Sequence, residues 1–388
     1  MPYDTFSTYA GEPMDAASVP HSGDVPSEKI RFMVVSGFLG AGKTTTMIAL
    51  GEHMNKTHGK VGIIANDLGA NLVDTNLTQT SGCTVEEIAS GCICYQMDNT
   101  IDKIRRLRDR DGATFVMSDI PGCGVGALDH VYHRLHREND DEFVLAPFTV
   151  IVDPERLKMI MPEKVDINLP EELVYLLQLQ LEEADLIVLN KIDLLTDAEQ
   201  QRYVDFLHEA CPDVPVLCIS ALERTGIEEL AQFVTTGVSA LKNFSVRDDE
   251  KFADAETKLT WYNRRMFFKT LDDSKIDCNA VIDDIIEGIR MGLIERKRNV
   301  PHLKTFATAG NGDFNKCSLI GVDYDIEHTQ EFLRDHKKMR MIINARAVCE
   351  SRPLARIIDD ALDDVCERYN LDCQVFFTEC FGMGDEGR

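Results

Sequence analysis

Long apolar runs, a basic surplus and densely spaced cysteines are all missing from this 388-residue chain. The longest apolar stretch, Phe143 to Val152, spans ten residues and contains a proline, whereas crossing a bilayer takes roughly 20 apolar residues. Residues 1 to 29 also lack the basic start and apolar middle of a secretion signal. These absences disfavour a membrane partner and predict a cytoplasmic protein.

The charge balance is strongly acidic. Lys and Arg together number 41 against 66 Asp and Glu, a formal net charge of −25. This balance disfavours binding to the phosphate backbone of nucleic acid, so no nucleic-acid partner is predicted. The 12 cysteines are scattered along the chain, which favours reduced thiols over a disulfide scaffold.

The pattern along the chain predicts two folded domains. Residues 1–29 are rich in Gly, Pro, Ser, Asp and Ala and are expected to form a disordered tail. Strand-length and helix-length apolar segments alternate over 30–242, which predicts an α/β domain with a mainly parallel sheet covered by helices on both faces. The predicted elements include a continuous strand over 144–152 and helices over 43–57, 171–183 and 197–210. A charged linker, 243–256, then leads to a smaller C-terminal α+β domain over 257–388.

The C-terminal pattern contains more strands than helices. Asn311-Gly312-Asp313 lies between two strand-like runs and predicts a hairpin turn. A short helix is expected near 327–337. Trp261, the single tryptophan, is expected to fill the core rather than to mark a client surface.

A glycine-rich motif follows the first predicted strand. Residues 37 to 44 read Gly-Phe-Leu-Gly-Ala-Gly-Lys-Thr, and a strand feeding such a turn into a helix points backbone N–H groups, a lysine and the helix dipole at one place. A loop that merely turns the chain does not explain the Lys-Thr pair. We therefore predict a phosphate-loop NTPase fold in which Thr44 ligates Mg²⁺. The residues expected to hold the phosphates are Gly37, Gly40, Ala41, Gly42, Lys43, Thr44 and Thr45.

Asp119-Ile120-Pro121-Gly122 follows a later strand. The carboxyl ends of parallel strands converge, so Asp119 is expected in the magnesium shell and the Gly122 N–H at the terminal phosphate. The motif is weak by itself, because turns use the same residue types.

Asn190-Lys191-Ile192-Asp193 follows another strand. Asp193 is expected to accept hydrogen bonds from N1 and the exocyclic amino group of guanine, a donor pair that adenine lacks. A helix-capping aspartate is the alternative, and it is disfavoured by the phosphate loop upstream. The residues expected to contact the base are Asn190, Lys191, Asp193, Ser220 and Ala221.

Six short motifs occur in order over about residues 30 to 240. They are Ser36 to Thr45, Asn66-Asp67 with Asp74, Gly91 to Cys94, Asp119 to Gly122, Val152-Asp153, and Asn190 to Asp193. In order and spacing they resemble the CobW-like GTPases, relatives of the urease and hydrogenase nickel-insertion GTPases. The resemblance implies GTP hydrolysis coupled to handling a metal or a metal-containing cofactor. Tyr95 stands where that family usually has the third cysteine of Cys-x-Cys-Cys.

Cys92 and Cys94 are separated by one residue and lie on the same side of an extended segment, so both could bind one soft or borderline ion. Two ligands do not complete a zinc site. The sharper hypothesis adds Cys123, just behind the Asp119 motif, which would join Zn²⁺ or Co²⁺ to the sensor of the γ-phosphate. The alternative is that Cys83 and Cys123 are packing thiols.

His130, His133 and His136 recur every three residues on a predicted helix. They could form a second metal site. The same stretch carries many charged residues, so a solvated polar face is favoured.

Catalysis in phosphate-loop enzymes is mostly positioning and charge neutralisation. Lys43, Asp67 and Asp119 are the predicted catalytic residues, and Asp74 is a further candidate for orienting water. No arginine finger can be assigned from the sequence, so we expect slow turnover that a metal or partner stimulates.

The predicted function is a GTP-hydrolysing metallochaperone that delivers a divalent metal, or loads a metal cofactor such as a corrinoid, into a client metalloenzyme or corrinoid protein. A GTP-dependent regulator without metal transfer is the alternative, and a small-molecule kinase using ATP is a third hypothesis. A homodimer is compatible with the sequence.

Overall fold

The computed structural model describes residues 29–66, 82–88, 93, 96–120, 124–162, 171–244, 257–310 and 312–382. The expected N-terminal tail and most of the expected linker lie outside these ranges. Within the described ranges, no helix is both long and apolar enough to cross a membrane.

The first domain is built on a sheet that, among the described residues, has eight strands paired in parallel. Seven run in the order β3-β2-β4-β1-β6-β7-β8, and β5 pairs with β1 beside this path. The strands are β1 Ile30–Ser36, β2 Val61–Asn66, β3 Thr84–Ile88, β4 Phe115–Asp119, β5 Phe143–Leu145, β6 Thr149–Val152, β7 Leu186–Leu189 and β8 Val216–Cys218.

Helices connect these strands. Their bounds are α1 Lys43–Thr57, α2 Met97–Asp111, α3 Arg134–Asn139, α4 Pro154–Leu157, α5 Glu171–Glu183, α6 Asp197–Ala210 and α7 Ile227–Thr236, with a π-helical segment, Leu128–His133, running directly into α3.

Strand β1 shows why the sheet is covered on both faces. Successive side chains of a strand point to opposite faces. Phe32 and Val34 belong to one buried apolar cluster, whereas Met33 and Val35 belong to another. Both faces are therefore packed, as a parallel sheet requires, and the predicted architecture is confirmed.

Two details of the first domain differ from the sequence prediction. The continuous strand expected over 144–152 is broken into β5 and β6, since the Pro147 nitrogen has no N–H to donate to a ladder. Edge strand β3 and helix α2 were not predicted. β3 was missed because its sequence, Thr-Val-Glu-Glu-Ile, is too polar to stand out as a buried strand.

The C-terminal domain has an antiparallel sheet in the order β12-β11-β10-β13-β9-β14. Helices α8 and α9 pack against one face, and the apolar side chains of that face form a separate core. The elements are β9 Thr260–Thr270, α8 Cys278–Glu295, β10 Asn299–Gly310, β11 Asp313–Leu319, β12 Glu327–Gln330, β13 Lys338–Val348, α9 Ser351–Arg368 and β14 Leu371–Gly382.

The expected short helix near 327–337 is wrong. Residues 327–330 instead form edge strand β12, which pairs with β11. Pairing with β11 stabilises the strand more than local helix propensity stabilises a helix, and local sequence does not reveal such pairing. The hairpin expected at 311–313 joins β10 to β11. Asn311 itself lies outside the described residues.

The other face of the C-terminal sheet rests on the first domain. Phe306 and Ile342 cluster with Ile48 of α1. Trp261 is 1% exposed and stacks on Phe381, with ring centroids 5.8 Å apart, so the core interpretation of Trp261 is confirmed.

Candidate nucleotide site

A cleft of about 280 Å³ lies where the glycine-rich loop faces the C-terminal domain. The loop follows β1, and the other first-domain walls follow β4, β7 and β8. Motifs that are far apart in sequence therefore meet at the carboxyl edge of the parallel sheet, where such folds bind ligands. The predicted site residues that line the cleft are Gly40, Gly42, Lys43, Thr44, Thr45, Asp119, Asn190, Lys191, Asp193 and Ala221.

The loop conformation depends on glycine at two positions. Gly42 has φ +94°, and a Cβ there would lie 2.3 Å from Nδ2 of Asn190. Gly37 has φ +133°, and a Cβ there would lie 2.1 Å from the carbonyl oxygen of Ile151. Any larger residue would strain the backbone and push the loop from its neighbours.

The N-terminus of α1 carries no side-chain cap and no acidic residue in its first turn. The first N–H groups of a helix lack intrahelical partners, so this end suits an anion. The Lys43 ammonium lies beside it, where Nζ donates hydrogen bonds to the Gly37 and Phe38 carbonyls at 2.7 and 3.2 Å. This donor set fits a polyphosphate.

Asn190 ties the glycine-rich loop to the loop after β8. Its Nδ2 donates to the Ala41 carbonyl at 2.9 Å, and its Oδ1 accepts from the Ala221 N–H at 3.0 Å. Asn190 is 3% exposed. Because both atoms of its amide are used, Asn190 holds the walls of the cleft together rather than facing solvent. Ser220 is buried, and its hydroxyl accepts from the Glu223 N–H at 3.1 Å.

The Asp193 side chain is exposed in the cleft. Leu194 and Leu222, 68% and 55% exposed, line the cleft near it. An accessible carboxylate beside two exposed apolar side chains suits a flat base with hydrogen-bond donors on its edge. Lys191 has φ +66°, and its Nζ lies 3.8 Å from a carboxylate oxygen of Glu327 in the C-terminal domain.

Thr44 and Asp119 both line the cleft and are 5% and 7% exposed. A hydroxyl and a carboxylate are oxygen donors of the kind that Mg²⁺ prefers. The residues present therefore fit a magnesium ion held beside bound phosphates.

The C-terminal domain lines the opposite side of the cleft, which sequence reasoning missed. Besides Glu327 and His328 of β12, it contributes four basic residues and one aromatic residue, which lie on different strands and therefore form no sequence motif. The residues are His302 and Lys304 from β10, Lys316 from β11 and Arg346 from β13, together with Trp261 from β9.

Arg156 is a second residue that the motifs did not reveal. It is wholly buried, and its Nε donates to the Leu39 carbonyl of the glycine-rich loop at 3.1 Å. Its Nη2 donates to the Pro301 and Ile320 carbonyls of the C-terminal domain at 2.9 and 2.8 Å. Burial lowers the pKa of this guanidinium. The only sequence signal was its position, three residues after Asp153 of the Val152-Asp153 motif.

Several predicted site residues lie outside the described ranges. They are Asp67, Asp74, Cys92, Cys94, Gly122 and Cys123. Cys83 is described and half-buried, and its sulfur accepts a hydrogen bond from Asn55 Nδ2 at 3.2 Å, which fits the packing interpretation.

The three histidines of the π-helix and α3 do not converge. His133 contacts the Lys242 carbonyl, and His136 pairs with Asp140 at 3.1 Å. Among the described residues, one group of three His, Cys, Asp or Glu side chains has the spacing of metal ligands. It lies in the C-terminal domain and contains none of these three histidines. The solvated face fits the described contacts of this segment.

Comparison with known families agrees with the site. Residues 31–217 match the family model of the CobW/HypB/UreG nucleotide-binding domain. Residues 31–217 form a CobW-like nucleotide-binding domain. The predicted resemblance is confirmed, and the matched range covers β1 through most of β8 of the CobW-like domain.

Two curated proteins are similar in sequence to part of this chain. The zinc chaperone CobW of Sinorhizobium sp is 28% identical over 186 residues, which cover 43% of this chain and 52% of that protein. GTPase Obg of Bacillus velezensis is 28% identical over 192 residues, 49% of this chain and 41% of that protein. The chain therefore spans about half the length of the curated relatives it matches.

Solved structures of similar proteins include zinc-bound YjiA GTPase from E. coli, 16% identical, with a TM-score of 0.37 and coverage of 87% of this chain and 99% of that one. HypB from Helicobacter pylori in complex with nickel is 14% identical, with a TM-score of 0.39 and coverage of 54% and 86%. TM-scores this low support no inference about this chain.

Proposed function

We propose that this protein binds and hydrolyses GTP and couples the cycle to delivery of a divalent transition metal, or to loading of a metal cofactor, into a client protein. The observation that carries the nucleotide part is the shared cleft. It brings the uncapped N-terminus of α1, Lys43 and the exposed carboxylate of Asp193 to one edge of the sheet.

Guanine selectivity follows from Asp193. Its carboxylate accepts from both N1–H and the exocyclic amino group of guanine, whereas adenine presents an acceptor at N1 and no amino group at C2. Leaving a carboxylate poorly paired against a bound base costs roughly twice as much as losing a neutral contact. Asn190 binds Ala41 of the glycine-rich loop and Ala221 of the loop after β8, and so fixes the position of one loop relative to the other.

Lys43, Asp119 and Asp67 carry the proposed hydrolysis. Lys43 neutralises charge on the β- and γ-phosphates, while Thr44 and Asp119 hold Mg²⁺, which supplies further charge neutralisation at the transferred phosphoryl group. Asp67 is assigned to orienting water by its motif alone. The basic side chains of the C-terminal domain add positive charge to the cleft wall and favour retention of a polyanion.

The metal part of the proposal comes from the Cys92–Cys94 motif with Cys123 and from the relative named as a zinc chaperone. Thiolate ligands favour Zn²⁺ or Co²⁺ over Mg²⁺. The client would be a metalloenzyme or a corrinoid protein that supplies the missing ligands during transfer.

Calorimetric titration with GTP and ATP, each with Mg²⁺, tests the nucleotide part. GTP is expected to bind at least about a hundredfold more tightly than ATP. Asp193→Asn should weaken GTP binding and favour xanthosine triphosphate, because an amide can donate to the 2-oxo group of xanthine. Asp197→Asn, an exposed carboxylate at the start of α6, is the matched control. Equal binding of ATP and GTP would overturn the assignment.

GTP turnover with and without Zn²⁺ or Co²⁺ tests the metal part. Stimulation that disappears in Cys94→Ala, with GTP binding intact, is the expected result. A GTP turnover rate that metal leaves unchanged in both the wild type and Cys94→Ala would instead identify a GTP-dependent regulator without metal transfer.

A further inference from the structure

A carboxylate, a thiol and an imidazole meet at the edge of the C-terminal sheet. Asp283 lies on α8, Cys317 on β11 and His328 on β12. One ligand atom from each lies within 4.8 Å of the other two. None of the three belongs to a sequence motif, so only the fold brings them together.

The separations match those of metal ligands. Cys317 and His328 are direct cross-strand partners, and Sγ lies 3.4 Å from Nδ1. On the other side of the ring, Nε2 lies 3.8 Å from Oδ1 of Asp283, and a single ion binds only one of the two ring nitrogens. In a tetrahedral zinc site, bond lengths of about 2.3 Å to sulfur and 2.0 Å to nitrogen place those two atoms roughly 3.5 Å apart. The observed separation of Sγ and Nδ1 therefore fits an ion bound between them, and the Asp283 carboxylate would rotate to reach it.

The inner wall of the cluster is buried and oriented. Cys317 is 0% exposed, and its thiol donates to Oδ1 of Asn315 at 3.2 Å. Asn315 is itself held by Nδ2, which donates to Asn279 Oδ1 at 2.9 Å. Such outer contacts fix the direction of a ligand.

Asp283 supplies an independent sign of a missing partner. Its Oδ1 is buried, and it has no hydrogen-bond partner within the part of the chain that the structure describes. A buried carboxylate oxygen that accepts no hydrogen bond is costly. A cation between Asp283, Cys317 and His328 would satisfy it.

The outer wall is open to solvent. The side chains of His328 and Asp283 are 32% and 37% exposed, so an ion can enter and leave without unfolding the sheet. Three protein ligands also leave one tetrahedral position for water, as in exchangeable rather than closed structural sites.

We propose that Asp283, Cys317 and His328 bind a divalent transition metal ion of the zinc class, with water as the fourth ligand. A thiolate and an imidazole select zinc or cobalt over magnesium. Binding displaces the thiol proton to solvent and forms the metal–sulfur bond without any change of oxidation state. The site goes beyond the proposed function, because it requires neither nucleotide nor the Cys92–Cys94 segment.

Cobalt titration of the full chain tests the site. The parent protein carries Cys92→Ser, Cys94→Ser and Cys123→Ser, is kept reduced by a phosphine, and is freed of metal before use. It is expected to bind one Co²⁺ with a thiolate-to-cobalt charge-transfer band. Cys317→Ser should abolish the band, whereas Cys349→Ser, which alters another buried free thiol of the same domain, should keep it.

A second pair of variants guards against misfolding. His328→Gln changes an exposed side chain and should weaken zinc affinity by more than about tenfold, since even outer-shell changes can cost that much. His208→Gln, an exposed histidine on α6, should bind zinc as the parent does. Thermal melting confirms that each variant is folded. No metal bound by the parent, or equal affinities for the two histidine variants, would overturn the site, and neither result bears on GTP binding.

Discussion

Nη2 of Arg156, in the first domain, donates a 2.8 Å hydrogen bond to the carbonyl of Ile320 in the C-terminal domain. The same guanidinium holds the Leu39 carbonyl of the glycine-rich loop. One buried side chain thus joins the glycine-rich loop to the opposite wall of the cleft, so both domains shape the proposed nucleotide site.

Replacing Arg156 should weaken the contact between the two domains. Arg156→Met keeps much of the side-chain volume but removes the donor from two buried carbonyls, of Leu39 and Pro301, and from the partly buried carbonyl of Ile320. We expect a loss of about 2 to 4 kcal/mol of stability, seen as a lower thermal midpoint and faster proteolysis between the domains. Arg137→Met, at a side chain 68% exposed with a surface ion pair, should change stability by less than about 0.5 kcal/mol. Equal thermal midpoints for the two variants would contradict a stabilising role of Arg156 between the domains.

Asn190→Ala should damage nucleotide binding without touching the base or the phosphates directly. It removes the hydrogen bonds to the Ala41 carbonyl and from the Ala221 N–H. We expect GTP affinity to fall by about tenfold or more, since each unpaired buried group costs about 1 to 3 kcal/mol. Calorimetry measures the effect. Asn99→Ala, an exposed amide on α2, should bind GTP normally, and the prediction fails if both variants do.

Tyr132→Phe should destabilise the centre of the first sheet. The buried hydroxyl accepts a 2.9 Å hydrogen bond from the Val34 N–H of β1. Removing it leaves a buried donor unpaired, at a cost of about 1 to 3 kcal/mol. Denaturant unfolding followed by fluorescence or circular dichroism gives the difference.

Tyr203→Phe is the matched control for Tyr132. The Tyr203 ring is 7% exposed, and its hydroxyl makes no hydrogen bond to the described residues. Its loss should therefore be nearly neutral. Similar stabilities for the two variants would show that the Val34 N–H finds another partner.

Glu183 should make stability depend on pH. Burial raises the pKa of its carboxyl to about 7, although the Leu128 and Gly126 N–H groups partly oppose the shift. Between the ordinary pKa of about 4.3 and pH 7, only the folded state keeps the proton. Stability contributed by the neutral form is therefore full below the lower value, lost as pH rises to 7 and constant above it.

Glu183→Gln should remove this pH dependence. The wild type is expected to lose about 3 kcal/mol relative to the variant between pH 4.5 and pH 8. Unfolding free energies across that range provide the measurement. Glu209→Gln changes an exposed carboxyl and should show the same pH dependence as the wild type. If the unfolding free energies of all three proteins depend on pH in the same way, the raised pKa of Glu183 is wrong.

Local pattern was a reliable guide where one element decides the outcome. α1 begins at Lys43 and ends at Thr57, as the sequence predicts, because the glycine-rich turn fixes its start and apolar spacing fixes its buried face. The same holds for α5 and α6. Local pattern failed at β12, where pairing with β11 overrode a helical preference.

The residues by themselves determined the glycine-rich loop, the Asn190–Asp193 motif and most of the strands and helices of the first domain, since these depend on neighbours within a few positions. Only the tertiary structure placed Lys304, Arg346 and Arg156 beside the loop, and only it brought Asp283, Cys317 and His328 together. Those residues belong to elements that come together across a domain interface or at a sheet edge. Long-range packing determines these contacts, and the spacing of residues along the sequence does not.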